Sequence, residues 1–301
     1  MERYPIRFVA QERRALWGRE LWLVSAHPSM PSVVANGPYA GKTLPDLVEE
    51  LGEELVGERA AHAGGFPLLV KIIESDDRLS LQVHPSEETA KLSGGDPKTE
   101  MWYVLDGSPD AFIFAGLREG VGRDELVRSL HAGEAEKTVV RFGVRRGHVL
   151  FIPGGLVHAI GGGTRIYEVQ QTSDTTWRLH DWNRVDRITG KPRQLNEEEG
   201  LAAIDWTLPP PELLDATASG GSPLIDCDKF RFSVIDVSGP AAFAGDESRF
   251  RILLASEGAC EVRMDGAPPV QLRTEECVLI PAGSACAVSP VTTCRLLVSG
   301  C

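Results

Sequence analysis

The chain has 301 residues, of which 42% are hydrophobic and 25% are charged, and its formal net charge at pH 7 is −12. This composition is typical of a folded globular protein and argues against intrinsic disorder. The acidic balance argues against an extended nucleic-acid interface, and no window holds the roughly eighteen apolar residues of a membrane span. Because the first residues lack the apolar core of a signal peptide, we expect a cytoplasmic protein that binds neither nucleic acid nor membranes.

Three segments have the spacing of apolar residues that is typical of helices. The first begins at Thr43 and continues over residues 44–55, and the second lies near residues 124–130. The third begins with Asn196 as the N-cap and has Glu199 three residues later, which is the arrangement of a capping box. Helices therefore occupy a small part of the predicted fold.

Most of the remaining chain is predicted to form short strands, each bounded by Gly, Pro or Asp. We expect them at residues 68–73, 79–83, 100–105, 111–115, 149–152, 165–171, 230–237, 250–255, 277–280 and 295–298. Many short strands at regular spacing are typical of a β-sandwich or barrel. The pattern therefore predicts an all-β protein.

The segment LSLQVHP at residues 79–85 alternates strictly between apolar and polar residues. In a strand this alternation puts Ser80, Gln82 and His84 on one face and the apolar residues on the other. A strand that faces water usually exposes Lys, Glu or Thr, whereas this one presents a hydroxyl, an amide and an imidazole. We interpret that face as the wall of a functional site.

Two later segments add further chemistry to this site. In KTEMW at residues 98–102, Lys98 and Glu100 lie about 7 Å apart on one side of an extended chain. In PGGLVH, His158 follows a tight, glycine-rich turn. Two histidines, a glutamate and a glutamine form a mixed ligand set that suits zinc or a similar divalent ion. Burial of these polar groups without a metal would cost several kcal/mol, which favours the metal interpretation.

The chain contains an internal repeat on the two sides of a segment rich in Pro, Gly and Ser at residues 207–223. Residues 147–158, GHVLFIPGGLVH, correspond to residues 275–286, EECVLIPAGSAC. Cys286 stands where the first copy has His158, so we expect the second copy to bind no metal. The predicted parts are an N-terminal catalytic domain at residues 1–206, a linker at 207–223 and a degenerate C-terminal domain at 224–301.

Several further motifs accompany the metal-ligating segments, in a fixed order along the chain. They are SAHP at 25–28, VANGP at 34–38, KTEMWY at 98–103, EVQQ at 168–171 and RLHDWNR at 178–184. This ordered set resembles the type I mannose-6-phosphate isomerase family in its short bacterial form, within the cupin superfamily. The resemblance covers roughly residues 4–190 and is weak beyond the linker. It implies two cupin domains, which are jelly-roll β-sandwiches with a few short helices, and the second cupin is degenerate.

The resemblance also implies a metal centre with one zinc ion per chain. The family's ligand motifs correspond to His84, Glu100 and His158 in this chain, with Gln82 as the fourth ligand. The metal would then lie wholly in the N-terminal cupin.

The same resemblance implies roles for residues around the metal. The arginine that opens the Arg-Leu-x-Asp motif is the family's active-site arginine, here Arg178, and Lys98 corresponds to a lysine linked to proton transfer. A serine and a second basic residue are associated with phosphate, and Ser80 and Arg184 occupy the matching positions. His180 is a departure, because an aromatic residue is more usual at that position.

The implied function is a zinc-dependent aldose–ketose isomerase of carbohydrate metabolism. It would interconvert mannose 6-phosphate and fructose 6-phosphate through a cis-enediol(ate) intermediate. The general base stays open: Arg178 remains protonated, so Lys98 and Glu168 are the candidates. Two alternatives also stay open, a metal-dependent cupin oxygenase and a non-catalytic sugar-binding bicupin. The partner is a sugar phosphate, and the sequence predicts no particular oligomeric state.

Overall fold

The computed structural model of the chain describes residues 2–61, 64–185, 190–216 and 222–301. It consists mainly of short strands with a few short helices, which confirms the all-β prediction. The chain divides into two compact units. The central unit contains Glu12–Leu21 and Lys71–Asp215, and the terminal unit contains Met1–Gln11, Trp22–Val70 and Ala216–Cys301.

The strands of the first part of the chain are β1 (Phe8–Val9), β2 (Gln11–Ala15), β3 (Gly18–Val24), β4 (Val33–Val34), β5 (Leu68–Ser75), β6 (Leu81–Val83), β7 (Glu100–Gly107), β8 (Phe112–Leu117), β9 (Val139–Gly143), β10 (His148–Ile152), β11 (His158–Ile160), β12 (Thr164–Gln171) and β13 (Trp177–His180). The later strands are β14 (Leu214–Asp215), β15 (Ile225–Asp226), β16 (Arg231–Val237), β17 (Ala241–Phe243), β18 (Arg251–Glu257), β19 (Ala259–Arg263), β20 (Val270–Arg273), β21 (Cys277–Ile280), β22 (Cys286–Pro290) and β23 (Cys294–Gly300). The helices are α1 (Leu44–Leu51), α2 (Glu53–Val56), α3 (Glu58–Ala61), α4 (Ala90–Ser93), α5 (Arg123–His131) and α6 (Glu197–Ala203), with a short 3-10 helix at Ala135–Lys137.

Two sheets of the central unit form a β-sandwich. One has the strand order β14-β10-β7-β12-β5-β3-β2, and the other has the order β13-β6-β11-β8-β9. Buried apolar side chains of both sheets form one cluster, including Trp102, Val104, Leu150 and Ile166 from the larger sheet and Ile113 and Ile160 from the smaller one. The removal of these side chains from water supplies the main driving force for packing one sheet on the other.

The outer face of the smaller sheet is covered by helices. Leu81 and Val83 of β6 pack in one cluster with apolar side chains of α5 and α6, while Gln82 between them faces a cavity on the opposite side. Leu79 belongs to the other cluster, inside the sandwich. The predicted alternation therefore holds over β6 itself but not at Leu79, because the strand begins only at Leu81.

The first helical segment begins as expected. Thr43 caps α1, and its side chain and that of Asp46 form a reciprocal capping box. The predicted single helix is interrupted at Gly52, whose φ of 49° ends α1 before α2 begins. The capping box predicted at Asn196 is wrong: the Asn196 Oδ1 atom accepts a hydrogen bond from the backbone N–H of Arg178 at 3.5 Å, so α6 has no side-chain cap.

The terminal unit contains a second β-sandwich. Its sheets have the strand orders β15-β16-β23-β18-β21 and β17-β22-β19-β20. Their buried apolar cluster includes Leu253, Val262, Val278, Val288 and Leu296. The six cysteines carry free thiols. None of the described helices is long and apolar enough to cross a membrane.

Backbone geometry supports the internal repeat. Gly147 and Glu275, at equivalent positions, both have a positive φ, of 88° and 67°. Gly155 and Gly283 are also equivalent and have φ values of 94° and 71°. A residue with a side chain pays an energetic cost for this conformation, so its presence at Glu275 indicates that the turn geometry itself is shared.

The predicted linker at residues 207–223 contains a short strand. β14 pairs antiparallel with β10, with Leu214 opposite Val149 and Asp215 opposite His148. Residues 217–221 of this segment lie outside the described residues. The predicted domain boundaries stay a prediction. The two compact units are divided differently, because the terminal unit combines residues 1–11 and 22–70 with residues 216–301.

Candidate active site

Three side chains with metal-ligating groups meet inside the central unit. His84 follows β6, Glu100 is the first residue of β7, and His158 is the first residue of β11. β6 and β11 are neighbours in the smaller sheet, while β7 lies in the larger sheet. The candidate ligand atoms all lie within 4.8 Å of one another, and all three side chains are buried.

Hydrogen bonds fix the orientation of both imidazoles. The Nδ1 atom of His84 donates to the carbonyl oxygen of Thr175 at 2.7 Å, and Nδ1 of His158 donates to the carbonyl oxygen of Leu156 at 2.9 Å. Each Nε2 atom therefore presents a lone pair to the cluster. Burial lowers the pKa of His158 to about 4, and burial together with the nearby Lys98 ammonium lowers the pKa of His84 well below its usual value. Both rings are neutral at physiological pH, which is the form that binds metals.

The environment of Glu100 fits a cation. Its Oε1 atom lies 3.4 Å from Nε2 of His158, and its Oε2 atom lies 3.5 Å from Nε2 of His84. Oε1 is buried and accepts no hydrogen bond from any described residue. A carboxylate and two imidazole lone pairs repel one another unless positive charge lies close to them. The Lys98 ammonium supplies such a charge at Oε2, and a metal ion would supply one at Oε1. Two neutral imidazoles and one carboxylate are a ligand set that suits zinc.

Gln82 lies beside this cluster, but its amide nitrogen rather than its amide oxygen faces the candidate ligands. Its Nε2 atom donates to Nε2 of His158 at 3.2 Å, and its Oε1 atom accepts from Oγ of Ser80 at 3.1 Å. Coordination through the amide oxygen would require the amide to turn over. The role of Gln82 as fourth ligand stays a prediction.

A cavity of 290 Å³ opens next to the cluster. Among the predicted site residues, those that line it are Ser80, Gln82, Lys98 and Arg178. Its volume is close to the lower end of the range for small-molecule sites, about 300 Å³. The fold thus brings a predicted serine, lysine and arginine into one small space beside the candidate metal ligands.

Arg178 is held in this cavity by its neighbours. Its backbone N–H donates to Asn196 Oδ1, and its Nη1 atom donates to the carbonyl oxygen of Gln194 at 2.8 Å. Its Nε atom is buried and has no hydrogen-bond partner among the described residues. The guanidinium therefore keeps an unused donor in the interior of the site.

Comparison with known proteins identifies the family. A model of the catalytic domain of type I phosphomannose isomerase matches residues 13–106. Mannose-6-phosphate isomerase ManA of Bacillus subtilis is 36% identical over 254 residues, which cover 79% of this chain and 76% of that protein. This chain belongs to the type I mannose-6-phosphate isomerase family.

A further relative and a solved structure agree with this assignment. Mannose-6-phosphate isomerase of Streptococcus mutans is 40% identical over 186 residues, covering 62% of this chain and 57% of that protein. The crystal structure of mannose 6-phosphate isomerase from Bacillus subtilis has a TM-score of 0.86 at 29% identity, covering 98% of this chain and 99% of that one. The predicted family and its doubled cupin fold are therefore confirmed.

Arg184, which the family motif associates with phosphate, is not among the residues that line the cavity. Its Nη1 atom donates to Oδ2 of Asp77 at 3.0 Å, and its Nη2 atom donates to Oδ1 of Asp181 at 2.6 Å. Arg184 lies outside the cavity lining, but it is close to Arg178, whose pKa is lowered by burial and by the nearby charges of Arg193 and Arg184. Its contact with phosphate stays a prediction.

Two arginines that no sequence motif singled out line the cavity, Arg13 and Arg193. Arg13 pairs with Asp174 at 3.0 Å, and Nε of Arg193 donates to Oδ2 of Asp181 at 2.8 Å. The one sequence signal for Arg193 was indirect, since the aspartate of the Arg-Leu-x-Asp motif needs a cationic partner once it is buried. Nothing in the sequence indicated Arg13.

His180, the departure from the family pattern, is buried under an aromatic neighbour. The backbone N–H of Trp182 donates to Nδ1 of His180 at 3.1 Å, and the two rings meet edge to face with centroids 5.3 Å apart. His180 is not among the residues that line the cavity. Its Nε2 atom is buried and has no hydrogen-bond partner among the described residues.

A buried ion network lies along the cavity wall. The Nζ atom of Lys71 lies 3.0 Å from Oε1 of Glu168 and 3.5 Å from Oε1 of Glu20. Oε2 of Glu168 accepts a hydrogen bond from Nε1 of Trp102 at 2.8 Å. Burial alone would lower the pKa of Lys71, but the surrounding carboxylates raise it overall. Glu168, a candidate base in the sequence, is therefore paired with a charged lysine.

Proposed function

We propose that this protein is a mannose-6-phosphate isomerase that uses one zinc ion per chain to interconvert mannose 6-phosphate and fructose 6-phosphate. The observation that carries this proposal is the buried cluster of His84, Glu100 and His158 beside a cavity that Lys98 and Arg178 line. These three residues, with Gln82 as the fourth ligand, would hold the ion. A cytoplasmic location remains our expectation.

The reaction needs two things from the site. A proton must leave the carbon next to a carbonyl and return to the neighbouring carbon, and the negative charge of the enediol(ate) between these steps must be stabilised. When bound, zinc would supply a Lewis acid of net positive charge, because its protein ligands include a single carboxylate. The remaining tasks fall to side chains in the cavity.

Lys98 is the residue we assign to proton transfer. Its Nζ atom lies 2.9 Å from Oε2 of Glu100 and 3.0 Å from Nε2 of His84, so it borders both the cluster and the cavity. A residue that gives or takes a proton must lie within hydrogen-bond reach of the atom concerned, and this amino group faces the space in which a substrate would lie. Glu168 is less suitable, because Lys71 and Trp102 already occupy its two oxygens.

Arg178 is the residue we assign to stabilisation of the enediol(ate) oxygen. A guanidinium stays charged at physiological pH and is a donor rather than a base. The buried Nε atom, which lacks a partner among the described residues, is available for such a contact. A preorganised donor of this kind acts mainly on charge that develops in the transition state.

The phosphate group would bind among the hydroxyl and cationic groups of the cavity. Ser80 lines it together with Arg13 and Arg193, and these two arginines supply positive charge to a site in an acidic chain. Phosphate recognition by arginine is strong because the planar guanidinium matches its oxygens. We assign Ser80 to phosphate binding and regard Arg193 as better placed than Arg184 for direct contact.

A direct test separates this function from the two alternatives that the sequence left open. Purified protein with zinc is incubated with mannose 6-phosphate, fructose 6-phosphate is measured by NMR, and dissolved oxygen is monitored. We expect fructose 6-phosphate without oxygen uptake, and a chelator should stop its formation. Oxygen uptake would support an oxygenase, and sugar binding without any conversion would support a non-catalytic bicupin.

A further inference from the structure

A second cavity lies in the β-sandwich of the terminal unit. Its volume is 510 Å³, and strands β16, β17, β18 and β23 contribute to its wall. The lining includes Arg231, Arg249 and Arg251 with a single acidic residue, Asp246. Its apolar lining includes Ile235, Phe243 and Val298. The cavity therefore combines positive charge with an apolar surface.

Strand register relates this cavity to the candidate active site. In the central unit Glu100 lies opposite Ile152, and in the terminal unit Arg251 lies opposite Ile280. Ile152 and Ile280 occupy the same position in the internal repeat. Arg251 therefore stands in the position of the carboxylate that we assign as a metal ligand in the first copy.

The other ligand positions are also replaced in the second copy. His158 lies opposite Gln82, whereas its counterpart Cys286 lies opposite Phe243. Burial raises the pKa of the Cys286 thiol to about 11, so this side chain stays neutral. The second copy has kept a cavity but holds an arginine, a phenyl ring and a neutral thiol at positions where the first copy holds its ligand set.

The positive charge of this cavity is incompletely balanced. Among the described residues, no carboxylate lies within 4 Å of the Arg251 guanidinium, and the buried Nε atom of Arg249 has no hydrogen-bond partner. Arg231 is paired with Asp226 at 2.6 Å. Three arginines and one aspartate line the cavity, in a chain whose net charge is −12. A hydrogen bond from Ser248 and the nearby charges of Arg249 and Arg251 lower the pKa of Asp246, so a single carboxylate of the lining faces both guanidinium groups. An anion would balance the positive charge that remains.

We propose that the terminal cavity binds a small organic anion, with a phosphate or carboxylate group at Arg249 and Arg251 and the rest of the molecule against Phe243 and Val298. In the first copy the positive charge at this position would come from a bound metal ion. In the second copy the guanidinium of Arg251 supplies it. This site is separate from the catalytic cavity and adds a second binding function to the chain.

Binding stoichiometry tests the proposal on the full chain. Equilibrium dialysis with radiolabelled phosphate, and separately with radiolabelled malonate, counts bound anions per chain in wild type, Arg251→Gln and Arg273→Gln. Arg273 is exposed and lies outside this cavity. Its substitution therefore removes the same charge as Arg251→Gln without changing the cavity, and it serves as the control. We expect Arg251→Gln to lose one anion site, or to bind there at least ten times more weakly, while Arg273→Gln matches wild type.

Isomerase activity distinguishes loss of this site from loss of the fold. Arg251→Gln should retain the activity of wild type, and Arg249→Gln serves as a second variant in case the first fails to fold. The probe that binds in an Arg251-dependent manner shows whether the site prefers phosphate or carboxylate. Equal numbers of bound anions in wild type and both variants, or no Arg251-dependent binding of either probe, would overturn the proposal.

Discussion

The Nζ atom of Lys98 lies 2.9 Å from the Oε2 atom of Glu100, and both side chains are buried. The same Nζ atom donates to Nε2 of His84 at 3.0 Å. One amine thus contacts two of the three candidate metal ligands and also lines the cavity. A variant that lacks this amine therefore shows, from its zinc content and its kcat, whether the amine acts in metal binding or in proton transfer.

Lys98→Met tests the assignment of proton transfer. The substitution keeps the unbranched side chain as far as Cε but removes the amine, so kcat should fall by about 10² or more, the usual scale for acid–base catalysis. Zinc content and KM should stay near wild type. The matched control is Lys91→Met, since Lys91 is exposed and pairs with Glu88. Near-normal kcat in Lys98→Met would transfer the role to Glu168 or to water.

His158→Ala and Cys286→Ala test where the metal binds. The two positions are equivalent in the repeat, but only His158 belongs to the cluster of three candidate ligands. Mass spectrometry of metal content should give one zinc ion per chain for Cys286→Ala and a large loss for His158→Ala. Zinc retained at one ion per chain in His158→Ala would show that the ligand assignment is wrong.

Arg178→Ala should mainly affect the transition state. Loss of a donor aimed at a developing oxyanion costs about 3–4 kcal/mol, so kcat should fall by about 10²–10³. Steady-state kinetics with mannose 6-phosphate measures this directly. If KM rises while kcat stays unchanged, Arg178 contributes to binding alone.

The arginines near the site should differ in their effect on KM. Arg193 lines the cavity, whereas Arg184 pairs with Asp77 and Asp181 outside its lining. We expect Arg193→Ala to raise KM for the phosphorylated sugar more than Arg184→Ala does, with kcat affected less than in Arg178→Ala. A larger KM effect for Arg184→Ala would support the phosphate role that the family motif implies.

Lys71→Met should destabilise the fold. It removes the cation that pairs with Glu168 and Glu20 in the protein interior, and removal of one partner from a buried ion pair typically costs about 3–5 kcal/mol. Urea unfolding followed by circular dichroism measures the loss. The double variant Lys71→Met/Glu168→Gln should recover part of it, because the uncompensated charge is removed. A single variant as stable as wild type would contradict the buried ion pair.

Asp181 should contribute stability that depends on pH. Burial alone would raise its pKa, but hydrogen bonds from Arg193 and Arg184 lower it overall. A carboxyl group with a lowered pKa stabilises the fold above its unfolded pKa of about 3.9, and this contribution is lost as pH falls through the folded value. The difference in unfolding free energy between wild type and Asp181→Asn should therefore shrink below about pH 4. A constant difference would contradict this coupling.

The features that could be predicted from sequence are those set by local spacing. Alternation in β6 puts Gln82 on the opposite face from Leu81 and Val83, next to the cavity. The pattern of strand, Pro-x-Gly turn and strand puts His158 directly opposite Gln82. Each depends only on the two-residue period of a strand and on turn chemistry. Because β11 pairs with β6 so that His158 lies opposite Gln82, these two local patterns bring the predicted residues of both strands together.

The features that could not be predicted depend on contacts between distant segments. Arg13 and Arg193 reach the cavity through the fold and belong to no motif. Asn196 pairs with the backbone of Arg178 and leaves α6 uncapped, since tertiary pairing competes with local capping for the same side chain. The amide of Gln82 likewise follows its neighbours Ser80 and His158, which spacing alone does not reveal.

A zinc titration of isomerase activity tests the central claim most directly. Metal-free protein is prepared by dialysis against a chelator, increasing zinc is added, and formation of fructose 6-phosphate from mannose 6-phosphate is measured at each point. We expect activity to be absent without metal and to rise linearly to a plateau at one ion per chain. Full activity in the metal-free protein, or no fructose 6-phosphate at one bound zinc ion per chain, would contradict the zinc-dependent isomerase that we propose.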